Sequence, residues 1–243
     1  MALSGTQLTK LGERLRADEE SEDDLRLLDE YRRSFSGASQ YVVNLLRKEL
    51  GLDPSARRAK STRAIVDKLR RQKIRLVQIQ DIAGCRVVLP SLEAQDKVRS
   101  EVLRLFPDAA VDDRRERPSS GYRAVHVIVK ADGKMVEIQI RTQLQQLWAE
   151  VSEKASDRYG LDIKYGGGPD WLKLQLHDLS ETVHNYEIRE GLAELIEGAV
   201  QQQGGSLLQA FQEARNELAA QRVALREILV SRAEAPDLLR GEQ

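Results

Sequence analysis

Apolar residues recur along this chain with two periods, and the switches between them mark out its elements. Over residues 7–50 the spacing is helical: Leu8, Leu11 and Leu15 repeat at three and four, followed by Leu25, Leu28, Tyr31, Val42, Leu45 and Leu46. Between the two groups, Ser21-Glu22-Asp23-Asp24 has the form of a capping box that opens a second segment, and Gly51 and Pro54 end the stretch. Ser61 is a good N-cap for a further helix whose apolar stripe is Ile65, Val66 and Leu69. Residues 81–89 read as a strand, 91–106 as an amphipathic helix, 109–111 as a short strand and 112–120 as a charged loop.

The period then becomes two. Residues 121–129 and 136–142 are β-branched and apolar at alternate positions and flank Asp132-Gly133, the strongest short-range signal for a hairpin. In the second arm Val136, Ile138 and Ile140 share one face, while Glu137, Gln139 and Arg141 share the other. In the first arm Tyr122 and His126 share a face, an aromatic plate and an imidazole two pleats apart. Such a polar face is either the solvated side of a sheet or a ligand site, and pattern alone leaves both open. Helical spacing returns at Thr142, which caps a helix bearing Leu144, Leu147, Trp148 and Val151, and runs on in two long segments after the Gly166-Gly167-Gly168-Pro169 break. This alternation predicts an α/β layer.

Composition narrows the possibilities. With 41% hydrophobic and 32% charged residues in 243, the chain can bury a real core, and it has no apolar run near the roughly 18 residues that would span a bilayer. The N-terminus shows no secretory pattern, so a cytoplasmic protein without membrane attachment is expected. The single cysteine, Cys85, excludes disulfides and structural zinc within the chain and reads as a small buried residue. Basic and acidic side chains number 38 and 39, so phosphate chemistry must rest on local clusters rather than bulk charge.

One such cluster is Arg58 and Lys60 just before the Ser61 cap, with Lys68 and Arg71 further along the helix. Cations before a helix N-terminus oppose its dipole unless an anion binds there, although a basic surface helix has the same pattern. Asp81 and Arg86 have opposite parity on a regular strand, so they reach one site only if the chain kinks near Gly84.

Taken together, Arg58-Ala59-Lys60-Ser61, Lys68-Leu69, Asp81-Ile82-Ala83-Gly84-Cys85-Arg86, Ser120-Gly121-Tyr122-Arg123-Ala124-Val125-His126 and Glu137-Ile138-Gln139-Ile140-Arg141-Thr142 resemble the synthetase domain of RelA/SpoT-type alarmone synthetases, most of all the small stand-alone members. The resemblance covers about residues 40–165 and keeps four motifs in order. It implies a mixed β-sheet flanked by helices, related to nucleotidyltransferases, with an N-terminal helical segment at 1–50, a synthetase core at 51–165 and C-terminal helices at 166–243. It also implies transfer of the β,γ-pyrophosphate of ATP to the 3′-hydroxyl of GDP or GTP, giving (p)ppGpp. Carried over to this chain, Arg58, Lys60, Lys68 and Arg71 hold the ATP phosphates, and Arg58 and Arg86 sandwich the adenine. Asp81 and Glu137 bind Mg²⁺, and Glu137 accepts the hydroxyl proton. Tyr122 stacks on guanine, His126 contacts the acceptor phosphates, and Gln139 belongs with the acceptor group.

Two positions depart from the family. Pro118 stands where a lysine usually precedes the stacking tyrosine, and Ala64 replaces a phosphate-binding serine. The acceptor is therefore open to an alternative, the tRNA 3′ end or an adenosine nucleotide, with Arg114, Arg115 and Arg117 as phosphate contacts, unless Asp112, Asp113 and Glu116 neutralise them. A second alternative is a non-catalytic, nucleotide-sensing module. The leucine spacing beyond Trp171 further suggests a homo-oligomer, or an antitoxin partner held by the C-terminal helices.

Overall fold

The computed structural model describes residues 3–57, 59–159, 163, 166–203 and 205–240, with 238 and 240 as backbone only. The N-terminal helical stretch divides into α1 (Gly5–Ala17), α2 (Glu22–Arg33) and α3 (Ser36–Leu50). The Ser21 capping box forms as expected, its hydroxyl accepting from Asp24 N while the Asp24 carboxylate accepts from Ser21 N. A second box, Ser4 with Gln7, opens α1. The pattern did not separate α2 from α3, because the apolar spacing continues through the short turn at Ser34 and Phe35. Gly51 closes α3 in the left-handed conformation at φ 61°.

Strand β1 (Ser55–Arg57) and helix α4 (Thr62–Gln72) follow, with Ser61 Oγ accepting from Ala64 N at 3.2 Å as the N-cap. Then come β2 (Ala83–Leu89), α5 (Leu92–Leu105), β3 (Ala110–Asp113), β4 (Val125–Ala131) and β5 (Lys134–Thr142). The strands form one mixed five-stranded sheet in the order β1-β2-β5-β4-β3, with helices flanking it. Asp132 and Gly133 both have positive φ, 51° and 70°, the two-residue geometry whose twist matches a hairpin. The first arm begins only at Val125: Gly121 and Tyr122 precede the strand, and Tyr122 pairs in an isolated bridge with Ser119. The expected shared face of Tyr122 and His126 therefore does not exist, since strand parity does not extend back to Tyr122.

Two compact units emerge. The first comprises Met1–Val87, Val98–Asp112 and His126–Ile140. Its helical core packs Leu8, Leu11, Leu15, Leu28, Ile65, Leu69 and Leu76. The sheet's central strands are covered on both faces, so Glu137 and Gln139, each 5% exposed, do not lie on a solvated side. Gly84 serves close packing rather than a kink: a Cβ there would collide with the Glu137 carbonyl oxygen. Cys85 is fully buried, and burial pushes its thiol up to about 12, which makes it an inert filler.

The second unit comprises Val88–Lys97, Asp113–Val125 and Arg141–Gln243. It holds α6 (Gln143–Tyr159), α7 (Asp170–Gln203) and α8 (Gly205–Glu234). Leu144, Trp148, Val151, Leu172, Leu176, Val183, Leu225 and Leu229 form its core. Thr142 caps α6 as expected, accepting from Gln145 N at 3.1 Å. Within this core sits Glu187, only 3% exposed, which accepts from the Thr142 hydroxyl and from Gln145 Nε2 at 3.1 Å. Burial raises its carboxyl to about 7, and those two donors offset only part of the effect. No helix among the described residues is long and apolar enough to cross a membrane.

Two outcomes follow from this packing. Gly84→Ala forces β2 away from β5, so thermal melting should show a loss of about 1–3 kcal/mol or more, several degrees in Tm; an unchanged Tm would contradict the close approach. For Glu187 the folded-state value lies above the ordinary one, so its contribution is fully present below the ordinary carboxylate range and is lost as pH rises through about 7. Glu187→Gln should therefore gain stability relative to the parent at pH 8, by at most about 3 kcal/mol, and far less at pH 5. Equal differences at both pH values would show that Glu187 does not titrate in this window.

Candidate active site

The first unit brings two carboxylates and three cations into close pairing. Asp81 lies just ahead of β2, after the turn that follows α4. Its Oδ2 accepts from Lys60 Nζ and its Oδ1 from Lys68 Nζ, each at 2.9 Å. Lys60 is anchored by its backbone N–H to the Ile82 carbonyl at 2.8 Å, and Lys68 projects from the middle of α4, so the N-cap and helix register together aim both ammonium groups at one carboxylate. Burial works to raise the Asp81 carboxyl, but Lys60 and Lys68 outweigh it and hold the group below its usual range.

Glu137 stands on β5, the middle strand. Its Oε1 accepts from His126 Nδ1 of the neighbouring β4 at 2.8 Å, and its Oε2 accepts from Gln139 Nε2 at 2.9 Å and from Arg57 of β1. Burial again pushes upward, and His126, Arg57 and Gln139 more than offset it, leaving the carboxyl at about 2. Both acids are therefore anions at any physiological pH. Gly84 permits the tight β2–β5 approach beside Glu137.

Of the residues expected from the sequence, this unit thus unites Lys60 and Lys68 with Asp81, and His126 and Gln139 with Glu137. Arg86 is half-buried on β2, opposite Ser55 of β1 in the antiparallel register. Arg71 is exposed in the last turn of α4. Arg58 lies outside the described residues. The residue missed was Arg57: in the Arg57-Arg58 pair the resemblance singled out the second, whereas the first reaches Glu137. The only signal was the parity of a three-residue edge strand. Arg57 also lines a cleft of about 370 Å³ with Arg32, Ser36, Gln40, Ala59 and Ala83.

Tyr122 belongs to the second unit. Its hydroxyl accepts from Arg141 Nη2 at 2.7 Å, and the guanidinium carbons of Arg141 and Arg114 lie 4.9 and 5.7 Å from its ring centroid. The loop before it is largely self-neutralised at Arg115, which bonds Asp113 at 2.6 Å and Asp96 at 2.7 Å and has only 15% of its side chain exposed. Trp148 is buried, with Nε1 donating to the Leu176 carbonyl at 2.9 Å.

The donor set fits a hard divalent cation. Mg²⁺ takes one or two carboxylates and completes its shell with water and phosphate oxygens, and the two acids here are ionised oxygen donors of that type. Among the described residues no group of three or more His, Cys, Asp or Glu side chains converges, which does not suit an all-protein metal cage.

The family described as the region found in RelA / SpoT proteins matches residues 57–163. An uncharacterised protein of Mycobacterium tuberculosis is 43% identical over 119 residues, covering 47% of this chain, which spans only 44% of that protein's length. The GTP pyrophosphokinase YjbM of Bacillus subtilis is 34% identical over 161 residues, 60% of this chain and 72% of the relative. Among solved structures, the small alarmone synthetase 1 of Bacillus subtilis superposes with a TM-score of 0.55 at 26% identity, over 72% of this chain and 99% of that one. The same enzyme bound to its product pppGpp gives 0.53 at 25% identity, over 71% and 98%. With the family match, the GTP pyrophosphokinase relative and the shared fold in agreement, the chain belongs to the RelA/SpoT-type family of small alarmone synthetases.

Proposed function

We propose that this chain is an ATP-dependent pyrophosphokinase that transfers the β,γ-pyrophosphate of ATP to the 3′-hydroxyl of GDP or GTP. The observation that carries the reading is the pairing of two ionised carboxylates, buried Glu137 and half-buried Asp81, with Arg57, Lys60 and Lys68. A binder of nucleotides has no need to draw two acids out of water, in whole or in part, and neutralise them with lysine and arginine, since that costs free energy which uncharged side chains would avoid. A transferase has that need. Negative charge spreads over the oxygens of a transferring phosphoryl group, and positioned cations stabilise it. The names of the relatives, a GTP pyrophosphokinase and a synthetase bound to pppGpp, point to the same reaction.

In the proposed step the 3′-oxygen of the acceptor forms a bond to the β-phosphorus of ATP, the bond between that phosphorus and the α,β-bridging oxygen breaks, and AMP leaves. Mg²⁺ held by Asp81 and Glu137 would supply charge neutralisation of the phosphates. Lys60 and Lys68 turn from Asp81 towards the triphosphate, and Arg71 adds a further cation from the end of α4. Arg86, with Arg58, stacks on the adenine. Tyr122 offers its ring to the guanine, while His126 and Gln139 fix the orientation of the Glu137 carboxylate. A carboxylate held at about 2 is a weak base, so Glu137 accepts the hydroxyl proton only as Arg57 is drawn off it by the incoming phosphates.

Incubation with γ-labelled ATP and, separately, GDP, GTP, AMP and bulk tRNA tests the reading: label should appear on the guanine nucleotide with one AMP formed per transfer. Labelled inorganic phosphate alone, or label on tRNA, would contradict it. Glu137→Gln should lower the rate by about 10²–10⁴-fold with the fold intact, and a near-normal rate would remove Glu137 from the mechanism. Arg86→Ala should raise the KM for ATP, whereas Tyr122→Ala should raise that of the acceptor and leave ATP nearly unchanged. Equal effects on both substrates would show that the two subsites are misassigned.

A further inference from the structure

The residues on either side of Tyr122 are both fastened to one stretch of α7. Arg123 is 6% exposed and uses its whole guanidinium: Nε donates to Ser180 Oγ at 3.2 Å, Nη1 to the Arg115 carbonyl at 2.6 Å, and Nη2 to the Glu181 carboxylate. Ser180 passes the connection on, its hydroxyl donating to the Gly121 carbonyl at 2.5 Å. Gly121 has φ +84°, and a Cβ there would lie 2.8 Å from Trp148 Cζ2 and 3.3 Å from the Leu176 carbonyl oxygen, so this position before Tyr122 admits only glycine without something shifting. Trp148 is tied to the same Leu176 carbonyl. One helical stretch, Leu176 to Glu181, thus determines the backbone on both sides of the aromatic ring.

We infer that Ser180 and Glu181 of α7 are positioning residues for the acceptor nucleotide, acting through Arg123 and Gly121 on Tyr122. They lie beyond the region matched to the family, which ends at 163. The inference rests on Tyr122 being the platform for the acceptor base. Its chemistry is that of a buried arginine whose fork is divided among three acceptors: the geometry is fixed, and loss of the charged partner leaves a desolvated guanidinium that relaxes towards other acceptors and moves the loop with it.

The test is equilibrium binding of labelled GDP and, separately, of a non-hydrolysable ATP analogue to the full chain, with no transfer required. Glu181 keeps 38% of its side chain exposed, so Glu181→Gln preserves shape and should fold. It should weaken GDP binding about tenfold, the scale of a lost charge-assisted hydrogen bond, and leave the ATP analogue unchanged. Glu181→Asp, which keeps the charge on a shorter arm, should recover part of the loss, and in turnover the change should fall on the acceptor KM rather than on kcat. A role in stability alone would instead weaken both nucleotides together with Tm. GDP binding equal to that of the parent, parallel loss of both ligands, or a parent chain that binds no guanine nucleotide would each overturn the inference. A parent that binds GDP without transferring pyrophosphate would defeat the proposed reaction while the effect of Glu181→Gln on binding still decides this one.

Discussion

A carboxylate on the middle strand of a five-stranded sheet can be kept from water only if its charge is met, and that constraint organises the first unit. Glu137 is almost fully buried, so Arg57 from the edge strand, His126 from β4 and Gln139 from its own strand all converge on it. The same condition applies to Asp81, which sits where the chain enters β2 and takes both lysines of the α4 region. Each interaction constrains a different element: α4 is held by Lys68, the segment before it by Lys60, and β1 by Arg57. Buried ion pairs contribute little net stability compared with apolar packing. Their retention here makes sense if the cations are wanted elsewhere during turnover, on phosphate oxygens.

The second unit obeys a different economy. Its core is made of leucines from α6, α7 and α8, but one polar track crosses it, from Arg115 and Arg123 to Ser180 and Glu181. Hydrogen bonds of this kind, buried and charge-assisted, specify geometry more than they add stability. Here they fix the geometry of Gly121 and Arg123, on either side of Tyr122. Beyond this track the outer turns of the same helices leave Leu192, Leu195, Ile196 and Leu207 exposed.

Elements whose determinants are local were legible in the sequence. The Ser21 and Ser61 caps, the Asp132-Gly133 turn and the Thr142 cap each depend on residues within four positions, and each forms as the pattern implied. The carboxylates were legible because a charged residue in alternation with valine and isoleucine stands out. What escaped depends on pairing between distant positions. Arg57 and Glu137 are 80 residues apart, Arg123 and Glu181 58 apart, and nothing in either neighbourhood announces the partner. The sequence allows a kink at Gly84 because a strand glycine has two common uses, and only the packed neighbour distinguishes them. Tyr122 was placed in the strand because the alternation of apolar residues starts before the hydrogen-bonded ladder does.

The central claim is that this site exchanges charge: its carboxylates are neutralised by the protein's own cations until a triphosphate draws those cations away and leaves oxygen ligands for a metal. Calorimetric titration of Mg²⁺ into the full chain, alone and with a saturating non-hydrolysable ATP analogue, addresses it directly. The account predicts no saturable binding of Mg²⁺ alone below about the millimolar range, and tight binding with the analogue that Asp81→Asn weakens. Tight binding of Mg²⁺ to the nucleotide-free chain, undiminished by the competing lysines and abolished by Asp81→Asn, would contradict it.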